Sequence, residues 1–216
     1  MRIISGKYKG KRFDVPHTFK ARPTTDFAKE SLFNILCNNY VDFDEAPTAL
    51  DLFAGTGSIS LELLSRGCSR VVSVEKDFKH WLYLVKTCRE LCDKGWKPLH
   101  ADVFRVLGQT SYLQHLLSKG KEECVSDDAE VNVDEDNSGV ASSCGFNIIF
   151  ADPPYALENL GDLPDLVLDS GLLLNGEYGS TASVFILEHG RNYDFSQHPR
   201  FIEHRNYGSV NFSFFR

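Results

Sequence analysis

The chain has 216 residues, 42% of them apolar, and a formal net charge of −7. That length and apolar fraction predict one domain with a sizeable core. No run of 18 apolar residues exists to cross a membrane as a helix, and the opening Met1-Arg2-Ile3-Ile4-Ser5-Gly6 lacks the apolar stretch of a signal peptide, so a cytoplasmic protein is expected.

The charge is unevenly placed. Residues 1–29 carry eight Lys/Arg and two Asp, giving a local +6, whereas residues 118–145 carry two Lys and eight Asp/Glu, giving −6. Nucleic-acid contact depends on where positive charge sits and not on its total. Lys7, Lys9, Lys11 and Arg12 are therefore the candidate nucleic-acid contacts, on a short hairpin predicted from residues 2–5 and 11–15. Arg2, Lys20, Arg22 and Lys29 extend the same basic arm.

A helix is predicted next, capped by Thr25 or Asp26 and running to about Asn38, with Phe27, Ala28, Leu32, Ile35 and Leu36 on one face. The strand Ala49 to Phe53 follows, leading into Gly55-Thr56-Gly57 and a helix from Ser58 to Arg66, with Gly67 at its end. Glycines serve where the backbone needs positive φ or must approach a ligand closely. A dinucleotide-binding loop would require a third glycine at position 60, where Ser60 stands, and no Lys-Ser/Thr pair follows to make a phosphate-cradling loop. Asp51, inside the strand, suits a ligand with a cationic amino-acid end.

The strand Arg70 to Val74 ends in Glu75, placed to accept from two ribose hydroxyls. A helix from Asp77 to about Leu91 leads to a strand near Pro98 to Ala101, which ends in Asp102, placed to accept from an adenine amino group. Acids at the carboxyl ends of successive parallel strands are how a doubly wound sheet holds a nucleoside. Asp51, Gly55, Gly57, Glu75 and Asp102, with Phe53 and Val103 beside them, describe a pocket for S-adenosylmethionine. The six cysteines (Cys37, Cys68, Cys88, Cys92, Cys124, Cys144) contain no C-x-x-C pair; reduced packing cysteines and no metal are expected.

A helix over roughly Val103 to Leu117 precedes the acidic stretch 118–145, whose polar composition predicts a mobile insertion on the face away from the strand ends. The apolar run Phe146 to Ala151 then delivers Asp152-Pro153-Pro154-Tyr155. An exocyclic amine on a nucleobase is a poor nucleophile, because its lone pair is delocalised into the ring. Asp152 offers a carboxylate acceptor, Pro153 a carbonyl on a turn whose φ is fixed, and Tyr155 a face on which a flipped base can stack. These three are the candidate catalytic residues. A helix near Leu163–Ser170, a strand Ser183–Leu187 and an antiparallel pair near Arg200–His204 and Ser209–Phe215 complete the pattern. Glu188-His189-Gly190 ends the fifth strand, and no role is assigned to His189.

Three blocks and one motif resemble the RsmD family of bacterial 16S ribosomal RNA guanine-N2 methyltransferases. They are Met1 to Gly6 with Lys11-Arg12, Arg22-Pro23-Thr24-Thr25-Asp26 through Leu36, Asp51 to Ser58 through Gly67, and Asp152 to Tyr155. The resemblance implies a Rossmann-like class I methyltransferase fold: an α/β sheet of seven mostly parallel strands in the order 3-2-1-4-5-7-6, with helices on both faces and an N-terminal hairpin and helix. It also implies Arg22 and Thr24 at the mouth of the cofactor pocket, S-adenosylmethionine as cofactor, and 16S rRNA or the small ribosomal subunit as partner of a monomer. Other readings are an adenine-N6 or glutamine-N5 methyltransferase, groups that usually carry Asn before the two prolines, or a non-catalytic RNA-binding assembly factor on the same fold.

Overall fold

Strands buried on both faces need apolar residues at consecutive positions, and the central segments of this chain supply them. In the computed structural model, which describes residues 1–16, 19, 25–118, 145–175 and 182–216, these segments form one seven-stranded sheet. The strands are β1 (Thr48–Asp51), β2 (Arg70–Glu75), β3 (Trp96–His100), β4 (Ile148–Ala151), β5 (Val184–His189), β6 (Phe201–Tyr207) and β7 (Val210–Phe215). Their order is β3-β2-β1-β4-β5-β7-β6, as the resemblance implied. The first five pair in parallel, and β7 runs antiparallel to both β5 and β6.

Side chains alternate across the sheet with the two-residue period of a strand. Ala49, Val71, Ile148 and Val184 enter one core, while their successors Leu50, Val72, Ile149 and Phe185 enter the other. Helices α1 (Asp26–Asn39) and α2 (Ser58–Arg66) bury Leu32, Phe33, Leu36, Leu61 and Leu64 in the first. Helices α4 (Val103–Gly108), α5 (Ser111–Ser118) and α6 (Leu163–Asp169) contribute Val106, Leu113 and Leu163 to the second. Helix α3 (Phe78–Leu91) is capped by Asp77 and places Leu84 and Leu91 against the first core. The single helix predicted over 103–117 is two, broken after Gly108, where glycine lowers helix propensity.

The N-terminal hairpin contracts to one antiparallel bridge, Arg2 with Arg12, extended by hydrogen bonds from Ile3 N to Lys11 O and from Phe13 N to Met1 O. Its strands are short because its hydrogen bonds go largely to α2. Ile4 N and Ser5 N donate to the Glu62 carboxylate, Lys7 N to Ser65 O, and Tyr8 N to Ser65 Oγ. Gly6 makes this contact possible: its φ is +81°, and a Cβ there would stand 1.9 Å from Ser65 O. In α1 the expected apolar face is shifted, for Phe27 is 70% exposed and Lys29 is 1% exposed. Lys29 Nζ donates to Arg2 O and Ser58 Oγ and lies 3.9 Å from Glu62. Burial lowers the Lys29 pKa, against the pull of Glu62. Glu62 therefore joins the N-terminal segment, α1, and Arg66 of α2 through one fully buried carboxylate.

Removing one partner of a buried ion pair leaves an uncompensated charge, which costs about 3–5 kcal/mol. Glu62→Ala should lose stability of that order by urea denaturation, with the N-terminal segment becoming protease-sensitive; a loss below about 1 kcal/mol, the ordinary scale for a point change, would show that Glu62 is not the joint.

Candidate active site

Parallel strands that end together present their carboxyl-terminal residues to one crevice. Here β1, β2, β4 and β5 bring Asp51, Glu75, Asp152 and Glu188 to the wall of one cleft of about 940 Å³, and Asp102, two residues beyond β3, joins them. Phe53, Gly55, Val103, Pro153 and Tyr155 line the same cleft, so the expected cofactor and acceptor residues converge on one space. Arg22 and Thr24 lie outside the described residues, as do residues 119–144 of the acidic stretch.

The glycine loop separates into two roles. Gly55 has φ +52°, and its N–H donates to Glu75 Oε2 at 2.8 Å. Gly57 has φ +73° and caps α2, but it does not line the cleft. A Cβ there would meet Leu84 Cδ2 at 2.7 Å and Trp96 Cζ2 at 3.1 Å. Gly57 is thus demanded by helix packing behind the loop, a correction to its assignment as a cofactor contact.

Glu75 holds the loop's shape by accepting from both Gly55 N and Asp77 N, and each of its oxygens keeps a further lone pair for a ligand hydroxyl. Both oxygens of Asp102 are engaged: Oδ1 caps α4 by accepting from Phe104 N and Arg105 N, and Oδ2 lies 2.9 Å from Lys76 Nζ. The Lys76 hydrogen bond is the first cause that holds its carboxyl below the ordinary range. Phe78, 55% exposed, forms part of the wall on this side.

The other end of the cleft is crowded with acids. Asp51 is 1% exposed and accepts from Ser60 Oγ at 2.5 Å. Ser60 Oγ is 2.6 Å from Ser73 Oγ, to which Trp96 Nε1 donates at 2.7 Å. A buried chain thus runs from β3 through β2 and α2 to the cleft, and Ser60, the residue that breaks the dinucleotide pattern, is its middle link. Burial raises the Asp51 pKa to about 7 despite the Ser60 hydrogen bond. Burial raises Asp152 well above the carboxylate range too, with the Glu188 and Asp51 charges adding to the shift. Glu188 received no role from the sequence, although the rule that found Asp51 and Glu75, an acid closing a parallel strand, applies to it equally. His189 points away from the cleft, with Nε2 2.8 Å from Ser213 Oγ.

The basic arm is partly neutralised. Lys7 pairs with Asp93 at 2.6 Å, Arg2 pairs with Asp26 at 3.1 Å, and Lys29 is buried. Lys9, Lys11 and Arg12 are exposed. Lys7 is therefore corrected from a free cation to the outer half of an ion pair.

The family model described as Conserved hypothetical protein 95 matches residues 1–116. The ribosomal RNA small subunit methyltransferase D of Escherichia coli K12 is 30% identical over 173 residues, covering 80% of this chain and 69% of that protein. The chain belongs to the RsmD family. A solved protein of the same fold from Thermus thermophilus covers 100% of this chain and 99% of its own at TM-score 0.71 and 24% identity. An RNA methyltransferase from Salinibacter ruber, solved with S-adenosyl-L-homocysteine, covers 90% of this chain and 92% of its own at TM-score 0.52 and 12% identity. The RsmD family comprises S-adenosylmethionine-dependent ribosomal RNA methyltransferases, and the fold here is the Rossmann-like methyltransferase fold. The donor set fits that cofactor: Glu75 for ribose hydroxyls, Phe53, Phe78 and Val103 for a flat apolar ring, and Asp51 for a cationic amino-acid end.

Because Asp51 has a folded-state pKa above its unfolded value, the free protein holds an extra proton, and this contribution to stability is lost as pH rises through about 7. A bound cation reverses the preference and drives the proton off. S-adenosylmethionine affinity should therefore rise with pH up to about 7 and level off above it. Calorimetry at pH about 6, in buffers of differing ionisation enthalpy, should record net proton release. Affinity that is flat across this range would show that Asp51 is already ionised in the free protein.

Proposed function

We propose that the protein transfers a methyl group from S-adenosylmethionine to the exocyclic N2 amine of a guanine in 16S ribosomal RNA, acting in the cytoplasm as a monomer on the small subunit or its assembly intermediate. The observation that carries this reading is that Asp152 to Tyr155 open on the same cleft as Asp51 and Glu75, which supports reading the first as the turn that holds the amine and the second as the cofactor's partners. When bound, S-adenosylmethionine supplies an electrophilic methyl group on a sulfonium centre.

The chain's own residues supply orientation. Asp152 and the Pro153 carbonyl accept from the amine and fix its lone pair toward the cofactor end of the cleft. Tyr155, 52% exposed at the cleft wall, presents its ring to a flipped base. Positive charge develops on the nitrogen during transfer, and the carboxylates of Asp152 and its neighbours stabilise it. The surplus proton leaves to water. The adenine-N6 and glutamine-N5 alternatives are disfavoured by Asp at position 152 and by the family to which the chain belongs.

Asp152→Ala removes one of three crowded acids, so the variant should fold at least as stably as the parent. Methylation of small-subunit rRNA from a deletion strain should nevertheless fall by about a hundredfold or more, the scale for losing a preorganised transition-state contact, while cofactor affinity is retained. Mass spectrometry of the same RNA identifies the modified base. Normal turnover by a folded Asp152→Ala protein would sink the mechanism.

The exposure of Lys9, Lys11 and Arg12 supports reading them as the RNA contacts, with Lys7 contributing only where RNA displaces Asp93. Phosphate contacts position the substrate without reading its sequence. Changing Lys9, Lys11 and Arg12 to Glu should weaken RNA binding and reduce the log–log salt slope by roughly 2–3 units, while the Lys7→Glu change alone should alter it by less than about one unit. An unaltered slope in the triple variant would remove the arm from the binding surface.

A further inference from the structure

Three side chains with polar atoms lie buried behind Asp51. Ser73 interrupts the apolar run of β2, Ser60 sits in the first turn of α2, and Trp96 opens β3. Buried polar groups persist only with partners. Here they partner one another in a line: Trp96 Nε1 to Ser73 Oγ at 2.7 Å, Ser73 Oγ to Ser60 Oγ at 2.6 Å, and Ser60 Oγ to Asp51 Oδ2 at 2.5 Å. An indole N–H can only donate, and a hydroxyl carries a single proton. Among the described residues, neither hydroxyl has another acceptor. The direction of the chain is thereby fixed from its far end. Trp96 donates to Ser73, so the Ser73 proton is matched only if it goes to Ser60, and the Ser60 proton only if it goes to Asp51. Were Oδ2 to carry a proton and donate it to Ser60, one buried O–H would be left unmatched, at the full cost of its desolvation.

We propose that Trp96 and Ser73 are positioning residues for the cofactor: acting through Ser60, they hold Asp51 Oδ2 as an acceptor and leave Oδ1 to exchange its proton for the ligand's ammonium group. This inference rests on reading Asp51 as the partner of the cationic amino-acid end, and adds what prepares it. Hydrogen bonds in a chain strengthen one another, and a donor aimed at a carboxylate favours its charged form. The Ser60 bond works in that sense, against the burial that pushes Asp51 up to about 7. The same tryptophan fills the space that Gly57 leaves open, its Cζ2 3.1 Å from where a Cβ would stand, so one ring serves both the glycine loop and the carboxylate. The other charges about the cleft are Glu75 at the end of β2, the Lys76–Asp102 pair, Asp77 and His80 at the start of α3, and Asp152 and Glu188 at the ends of β4 and β5. Lys29 of α1, bonded to Ser58, is paired with Glu62. Substitutions at Ser73 and Trp96 leave all of these in place, so they set the midpoint of the parent and not its displacement.

The test compares pH profiles of S-adenosylmethionine affinity, measured by calorimetry between pH about 5 and about 7.5, in the parent and in variants of the chain. Ser73→Ala breaks the chain at its middle and Trp96→Phe at its source. Each should move the rise in affinity to higher pH by about half a unit, which is about threefold weaker binding on the rising limb. Ser73→Thr keeps a hydroxyl and should hold the parent midpoint. The ligand's own titrations are common to every protein and drop out of the comparison. Loss of packing alone would weaken binding by one factor at every pH and leave the midpoint in place. Should neither chain-breaking variant fold, the parent carries the test: its Trp96 indole N–H resonance should shift with the Asp51 titration, and a resonance that stays fixed overturns the proposal. An unchanged midpoint in either folded variant, beside a flat profile in Asp51→Asn, overturns the role of Trp96 and Ser73 and leaves Asp51 as the cofactor's partner. A parent profile with no rise, or one that Asp51→Asn leaves intact, removes the Asp51 reading, and this inference goes with it.

Discussion

Carboxylates at the ends of adjacent parallel strands repel one another, and several of them share this protein's cleft. The parallel register of β1, β4 and β5 sets Asp51 opposite Phe150 and Ala151 opposite Leu187, so Asp51, Asp152 and Glu188 come to the same end of the sheet. Water would screen them, but their burial denies it, so protons accumulate there in the free protein. In the proposed reaction, a cationic cofactor and an amine that becomes cationic during transfer would each supply the positive charge that balances these acids. Binding and chemistry therefore draw on the same electrostatic imbalance.

A second buried carboxylate works in the opposite sense. Glu62 is surrounded by donors: two backbone N–H groups of the N-terminal segment, Arg66, and the buried ammonium of Lys29. It is satisfied and so it fastens, whereas the cleft acids share one wall and raise the pKa of Asp152. Because Gly57 caps α2, the joint that holds residues 1–13 also holds the loop from which Gly55 reaches Glu75. The cost of this arrangement falls on the basic arm, several of whose charges are used to build the fold.

Much of the site is legible in the sequence because its residues obey local rules. Glycines near a strand end, acids at strand termini and the Asp152 to Tyr155 turn each carry their chemistry within a few positions. Strand and helix positions follow from apolar runs and caps; α2 spans the expected Ser58–Arg66, and Thr25 caps α1 as anticipated. Errors arise where a residue's partner is remote in sequence. Gly57 reads as a ligand contact, but the reason for it is Trp96 and Leu84. Lys7 and Lys29 read as surface charge, but Asp93 and Glu62 meet them from 86 and 33 positions away.

The sequence by itself determined the class of sheet and the cofactor chemistry, because periodicity, glycine placement and strand-end acids are properties of short segments and survive without knowledge of what packs against them. Only the tertiary structure decided which charges are free and which are spent, that Ser60 and Ser73 tie Asp51 to Trp96, and that Glu188 stands beside Asp152. Those facts depend on strand register and on helix docking, where residues far apart in the chain meet in a medium that makes every unmatched charge expensive.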